Sequence, residues 1–531
     1  MDENEDKGVN ENKLSPLAKI LIEKFEEEEA KNHEQKISVN RVVSKVATWY
    51  EKLRNAMEYR EEEVILRAAI ERNLRRHLLL GGNAQTSAEP LVRELIWAGY
   101  LKDEEVPEST ILKVESSIDL FLQLRLLVLK KHKFPQSALD EWTYQLMSSD
   151  IERIVNPMLE REIVANFMYQ ILKDHIKITD DTEETKNAQV YVGVRKSFAR
   201  DDIAFLRYHL FKLFFGKVTL ENVDSVADDF PQGYKEIEYQ LKYPRKDKIN
   251  SYIKKRAAAF LILEDILAQN KGDDKAMVAN EERLTAAVEK ACEARYENIA
   301  TKVRRAIIRS VIFILVTKLI FAILVEGTYE RIVYGQILWN SIIINTVAPA
   351  ILMVIVGLFI RTPGKDNTER VKNMIGAVLF DENPRLGASL SLTKIPDQRP
   401  SALRTIFNIL WLLAFVVSFG GISFILTKIG FNPISQFIFL FFLTIVSFLS
   451  YRINLMANLY TVGDKQGYLT PVVDFLFMPI IRVGRRLTEG ISQLNFVLII
   501  FDFVIETPFK LIFAFTERWF RFMHEKRDEL G

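Results

Sequence analysis

Apolar positions recur at helical spacing through the first 305 residues, and from residue 306 they close up into long runs that charge seldom interrupts. The first clear stripe is Val42, Val46, Trp49, Leu53 and Met57, inside SVNRVVSKVATWYEKLRNAMEYREEEVILRAAIERNLRRHLLLGG. Ser38 or Asn40 offers an N-cap and Gly81-Gly82 a stop, so the spacing predicts one long helix over 38–82. Its stripe reads as a core face, with coiled-coil pairing to a partner as the lesser use. Further helical patterns follow near 88–101, 109–132, 136–156, 159–177, 200–216, 233–243 and 247–269, separated by Gly, Pro or Asp-Asp punctuation. Only QVYVGV, 189–194, has the look of a strand. AFLRYHLFKLFFG, 204–216, is too short to cross a bilayer and carries Arg207, His209 and Lys212. It reads as an internal core helix, with a basic helix touching a membrane surface as the alternative.

Residues 280–305 form a stalk that runs without Pro or Gly into the first apolar run, the next glycine being Gly327. Four runs approach the ~20 apolar residues that a bilayer crossing requires, at about 306–325, 335–360, 405–427 and 434–451. Lys302, Arg304, Arg305 and Arg309 precede the first, and the 361–404 connector carries eight Lys/Arg, whereas EGTYERIVYGQ and TKIGFNP carry one each. The positive-inside rule then predicts that both termini are cytoplasmic, with two short external loops, and the plasma membrane is the expected location. Polar residues inside the runs are Lys318, Asn340, Asn345 and Thr346, with Pro349 beside them. Lys318, Asn340 and Asn345 are therefore the candidate intramembrane polar path. With no carboxylate placed inside the four spans, Lys318 is expected to snorkel outward or to meet Asn345, ahead of serving an ion or proton path. SFGGIS, 418–423, offers small residues for close helix packing.

IIFDFVIETPFKLIF, 499–513, is apolar enough to enter a membrane yet holds Asp502, Glu506 and Lys510. Asn495, Asp502, Glu506, Lys510, Glu517 and Arg521 step by 7, 4, 4, 7 and 4, which lines them along one helix face. Basic residues on both sides also disfavour a single crossing. LTPVVDFLFMPIIRVGRR, 469–486, repeats Asp474-Phe475 and Arg482 at an offset of 28 from Asp502-Phe503 and Lys510. Two amphipathic helices lying in the interface over 469–525 are the expected arrangement. The alternative is a re-entrant hairpin in which Asp474, Asp502, Glu506 and Lys510 converge in a polar pocket.

Composition adds mainly exclusions. Lys+Arg of 71 against Asp+Glu of 70 leaves net +1, so no global charge points to nucleic acid. Residues 1–37 hold the run EEEE at 26–29 and read as an acidic, partly disordered tail without the pattern of a secretory signal. One cysteine, Cys292, and six scattered histidines provide neither a disulfide framework nor helical metal-ligand spacing. Phosphate-loop, dinucleotide, HExxH and GxSxG patterns are missing, so no cofactor or metal is expected. Aspartate pairs such as Asp180-Asp181 and Asp201-Asp202 read as caps and turns.

The sequence therefore predicts an all-α protein: a cytoplasmic helical domain over 38–279, the stalk, and a multipass membrane domain over 306–451 with interfacial amphipathic helices at its carboxyl end. The expected function is a non-enzymatic membrane scaffold or coupling component, partnered by the bilayer and by proteins or further copies of itself through the soluble helices. An oligomeric channel or transporter is the second reading. A lipid-active enzyme is the third, with Asp366, Glu369, Asp381 and Glu382 of the connector as its only candidate groups.

Overall fold

The computed structural model describes residues 14–27, 64–269, 277–278, 280–336, 339–393, 401–463 and 470–492, with Ile37, Thr48, Glu51 and six positions between 515 and 527. Nearly every described element is a helix. The amino-terminal domain has two lobes, each with its own buried apolar cluster. The distal lobe contains α2 (Ile65–Leu79), α3 (Ala84–Trp97), α4 (Ser109–Lys131) and α5 (Gln136–Val155). It is completed by α8 (Ile203–Phe215) and α9 (Val223–Leu241). Gly81, at φ +87, ends α2 where the sequence expects a stop, because only glycine takes that backbone without strain. The stripe residues Val42, Val46, Trp49, Leu53 and Met57 all lie outside the described residues. In α8 the residues from Ala204 to Phe211 are buried, which makes this aromatic stretch a core helix.

The proximal lobe is built from α1 (Pro16–Glu27), α6 (Leu159–Leu172), α7 (Glu183–Val194) and α10 (Lys246–Gln269). Two expectations change here. Within the region read as an acidic tail, Leu14, Ala18, Leu21, Ile22 and Phe25 are buried against the lobe, so α1 is core. Their spacing is an amphipathic stripe that the surrounding glutamates obscure. QVYVGV belongs to α7, whose N-cap Thr182 accepts from the Thr185 amide at 3.2 Å, and burial of all its residues but the half-buried Tyr191 outweighs the weak helix preference of its valines. The strands are β1 (Ile176–Ile178) and β2 (Leu390–Leu392), a parallel pair too short to carry a readable alternation.

α11 starts at Glu281, capped by Asn280, and runs to Phe321; a π-helical stretch, Ala322–Gly327, and Thr328–Tyr334 extend it. The other apolar helices are α12 (Trp339–Phe359), α14 (Ser401–Lys428, π-helical over Val416–Gly420) and α15 (Pro433–Ala457). Together the structure has four helices long and apolar enough to cross a membrane: Glu281–Val333, Ile342–Phe359, Thr405–Lys428 and Pro433–Ala457. The proximal apolar cluster continues from the domain along α11 as far as Ile314, and takes in Ala350 and Met353 of α12 and Val446 and Ile453 of α15.

Three segments fasten the connector and the end of α15 to the amino-terminal domain. β2 pairs with β1, α13 (Lys365–Phe380) packs on α10 and α11, and the Gly463 amide donates to the Lys255 carbonyl at 3.2 Å. Asn367 of α13 acts as a clasp. Its Nδ2 donates to the Tyr460 carbonyl at 2.6 Å and the Tyr296 hydroxyl at 2.7 Å, while its Oδ1 accepts from the Val462 amide at 2.8 Å. Arg256 donates to the Leu386 carbonyl at 3.0 Å, and His175 Nε2 to the Pro384 carbonyl at 2.8 Å.

α16 (Thr470–Ser492) lies along α15 and touches α14. Ser418, on the π-helical turn of α14, donates to the Leu476 carbonyl at 2.6 Å. Of the small residues in SFGGIS, Ser418 makes this close helix contact, whereas a Cβ on Gly420 or Gly421 would meet nothing within 4 Å. The close approaches are Gly357, where a Cβ would touch Ile307 at 3.0 Å, and Gly484, where it would sit 2.0 Å from the Thr444 carbonyl oxygen. Gly484→Val is accordingly expected to force α16 off α15 and to cost about 1–3 kcal/mol, in the range of overpacking in a close-packed interior. The thermal midpoint of the detergent-solubilised chain should fall for this variant and stay unchanged for Gly420→Ala; an unchanged Gly484→Val protein would rule the contact out as a constraint.

Candidate functional site

Charge is buried in two places, one between the apolar helices and one in the amino-terminal domain. Between the helices, Lys318, Glu326, Glu330, Asn345 and Ser435 are each 0% exposed. Glu326 is the hub: its Oε1 accepts from Lys318 Nζ at 3.1 Å and from Asn345 Nδ2 at 2.7 Å. Asn345 Nδ2 also donates to the Ser435 carbonyl at 3.2 Å, so one carboxylate oxygen ties α11, α12 and α15 together. Lys318 lies over the Phe442 ring, 4.7 Å from its centroid. One turn beyond Glu326, Glu330 accepts from Asn432 Nδ2 at 3.0 Å, and Asn432 caps α15 by accepting the Ser435 amide at 2.8 Å.

The backbone explains how Lys318 and Glu326 meet. Eight residues of α-helix advance by ~800°, leaving the second side chain ~80° off the first one's face. The i→i+5 turns over Ala322–Gly327 advance less per residue and swing Glu326 back toward Lys318. Sequence reading stops the first span at Val325 and so leaves Lys318 without a carboxylate; the helix in fact continues, and Glu326 is its partner. Lys318 therefore does not snorkel to water, and it shares Glu326 with Asn345 instead of bonding to Asn345 directly. No periodicity marks Glu326, because the π stretch breaks the phase from which a face is read.

Of the other candidates, Asn340 falls in α12 and Asp474 in α16, but their side chains lie outside the description. Asp502, Glu506 and Lys510 lie outside the described residues.

In the amino-terminal domain, a cleft of about 1760 Å³ opens between α6, α7, α8 and α9, with Glu162, Tyr169, Tyr191, His209 and Lys212 among its lining residues. Beneath it runs a charged network. Arg195, on a π-helical turn after α7, donates through Nε to Asp201 at 2.6 Å and through a terminal nitrogen to Glu162 at 2.7 Å. Glu162 also meets Arg153 at 3.0 Å. His209 Nδ1 faces the Tyr191 hydroxyl at 3.2 Å, and its Nε2 faces Asp201 at 3.4 Å. Burial and the neighbouring Arg195 hold the His209 imidazole well below its usual range, so it is neutral. Burial also raises Asp201 to about 6 against the pull of Arg195. Nearby, Arg67 binds Asp202 at 2.7 Å and Glu71 at 2.6 Å, and burial pushes Glu152, which lies against this cluster, up to about 8. These groups are spread over more than 130 residues of sequence, and no local motif gathers them.

Among the described residues, no three or more His, Cys, Asp or Glu side chains gather in a way that could hold a metal ion. Comparisons with protein-family models, with curated proteins and with solved structures find no match to this chain.

Two outcomes follow from these geometries. Glu326→Gln leaves the Lys318 ammonium buried without its carboxylate and is expected to cost about 3–5 kcal/mol, while adding Lys318→Met should return part of that loss. Thermal unfolding of the single and double variants in detergent checks this, and additive losses would dismiss the ion pair. Glu152 keeps its proton in the folded chain at neutral pH and loses it on unfolding, so its contribution is complete below the unfolded value near 4.5 and is lost as pH rises through about 8. Between pH 7 and pH 9 the wild type should lose about 1 kcal/mol that Glu152→Gln retains, a difference readable in the pH dependence of the thermal midpoint.

Proposed function

We propose that this protein is an integral membrane coupling component, whose amino-terminal helical domain engages a partner on the cytoplasmic side and is joined rigidly to a four-helix membrane domain. The observation that carries this reading is the unbroken connection between the halves. α11 passes from domain to apolar bundle without interruption, one apolar cluster spans both, and the Asn367 clasp and the β1–β2 pair fasten the connector to the same domain. A merely anchored domain needs none of these, since a flexible linker to one span would hold it at the membrane. The cleft fits the partner end. Its volume exceeds the ~300–1,000 Å³ usual for small-molecule pockets, and it favours a segment of another protein.

A transporter or channel is the second reading, favoured by the buried Lys318–Glu326–Asn345 cluster, because ionisable groups at membrane depth commonly mark ion or proton paths. The lipid-enzyme reading gains no comparable support: Glu369 is held by Lys372 at 2.9 Å, and the buried polar residue of α13 is the clasp Asn367.

The deciding measurement is the mass and subunit composition of the intact particle extracted from its own membrane with mild detergent. A stoichiometric second protein, lost on Asn367→Leu although the variant reaches the membrane, is the expected result. A particle made only of this chain would sink the coupling reading and leave the transporter.

A further inference from the structure

Several buried polar atoms in the cluster between the apolar helices have no hydrogen-bond partner among the described residues. Glu326 Oε1 carries both described hydrogen bonds to this carboxylate, from Lys318 and Asn345. Its second oxygen, Oε2, is buried and accepts from no described residue, and the same holds for Asn345 Oδ1 and Ser435 Oγ. All three belong to side chains that are 0% exposed. The first two flank one hydrogen bond: Oε2 lies about 2.2 Å from Oε1, and Asn345 Oδ1 lies the same distance from the Nδ2 that bonds Oε1. The Ser435 backbone borders the same amide, its carbonyl accepting from that Nδ2 at 3.2 Å. Glu326 also sits on a π-helical stretch, a distortion found often at functional sites.

We infer that Glu326, Asn345 and Ser435 form an exchange site for a small hard monovalent cation, a proton or a sodium ion. The chemistry follows from the atoms. One carboxylate, one amide and one hydroxyl oxygen are hard ligands of the kind that bind alkali cations, and none is a soft donor. A proton suits the same place, for on Oε2 it turns an unfilled acceptor into a donor toward a neighbouring oxygen such as Asn345 Oδ1. A hydronium that delivers it leaves as water, and Glu326 becomes neutral.

Lys318 has a definite part in this. Held 3.1 Å from Oε1 and stacked over Phe442, it is a tethered counter-ion that competes with the incoming cation for one carboxylate. The site therefore holds weakly enough to release what it binds, which exchange requires. A purely structural clamp differs: its carboxylate stays paired with Lys318 and takes up no other cation.

The inference rests on reading α11, α12 and α15 as membrane helices, a reading that fails on its own terms if the chain leaves the membrane without detergent. The test uses the full-length wild type in detergent, treated with dicyclohexylcarbodiimide, which couples to protonated carboxyls in apolar surroundings. The reaction is run at a series of pH values in sodium chloride or choline chloride. Trypsin releases 319–331, and fragmentation separates Glu326 from Glu330 within it. We expect label on Glu326 that rises several-fold as pH falls. Protection by sodium over choline identifies a sodium site, and equal labelling in both salts identifies the proton. Glu326 unlabelled throughout, with the denatured chain labelled there, overturns the inference and leaves an ion-pair clamp; label confined to Glu330 overturns it equally.

Discussion

The Glu326 carboxylate is the point on which the apolar bundle depends. A charge at that depth is expensive, and it persists because Lys318 and Asn345 reach it from two helices while Ser435 holds Asn345 from a third. Apolar contacts alone discriminate weakly between arrangements of helices in lipid, since lipid tails are as apolar as leucine. A buried polar cluster does discriminate, because helices in the wrong register would leave its members without partners. The bundle is thereby held to one register around a buried carboxylate.

The same logic operates at the other end of α11. Asn367 satisfies both ends of its amide against Tyr296, Tyr460 and Val462, so the start of α13, the stalk and the turn after α15 meet at one buried side chain. Together with the apolar cluster that runs from Leu14 to Ile453, this leaves little freedom between domain and bundle. The cleft between α6 and α9 is lined in part by α7, which packs on α10, and α10 packs on α11 and α13. Such contiguity is the physical path that coupling would use.

π-helical stretches recur where polar side chains are needed inside: Arg195 under the cleft, Glu326 in the bundle and Ser418 against α16. Each changes the phase of a helix and turns a residue inward. Steady 3.6-residue periodicity cannot reveal such residues, and this explains why the centre of the site is invisible to pattern reading while its flanks are not.

Composition and spacing alone determine the helical class, the division near residue 305, the four apolar helices and the continuity of α11, because these depend on hydrophobic runs and on where Gly and Pro fall. Lys318 and Asn345 are likewise legible, being polar residues in apolar runs. Tertiary structure decided the rest. It made the stripe of α1 part of the core, turned QVYVGV into helix by burying nearly all of it, and supplied Glu326 by carrying the first apolar helix past Val325. The reason is that a buried charge or an amphipathic stripe takes its meaning from the groups facing it, and the backbone path that brings those groups together, whether from eight residues away or from ninety, is not written in the local pattern.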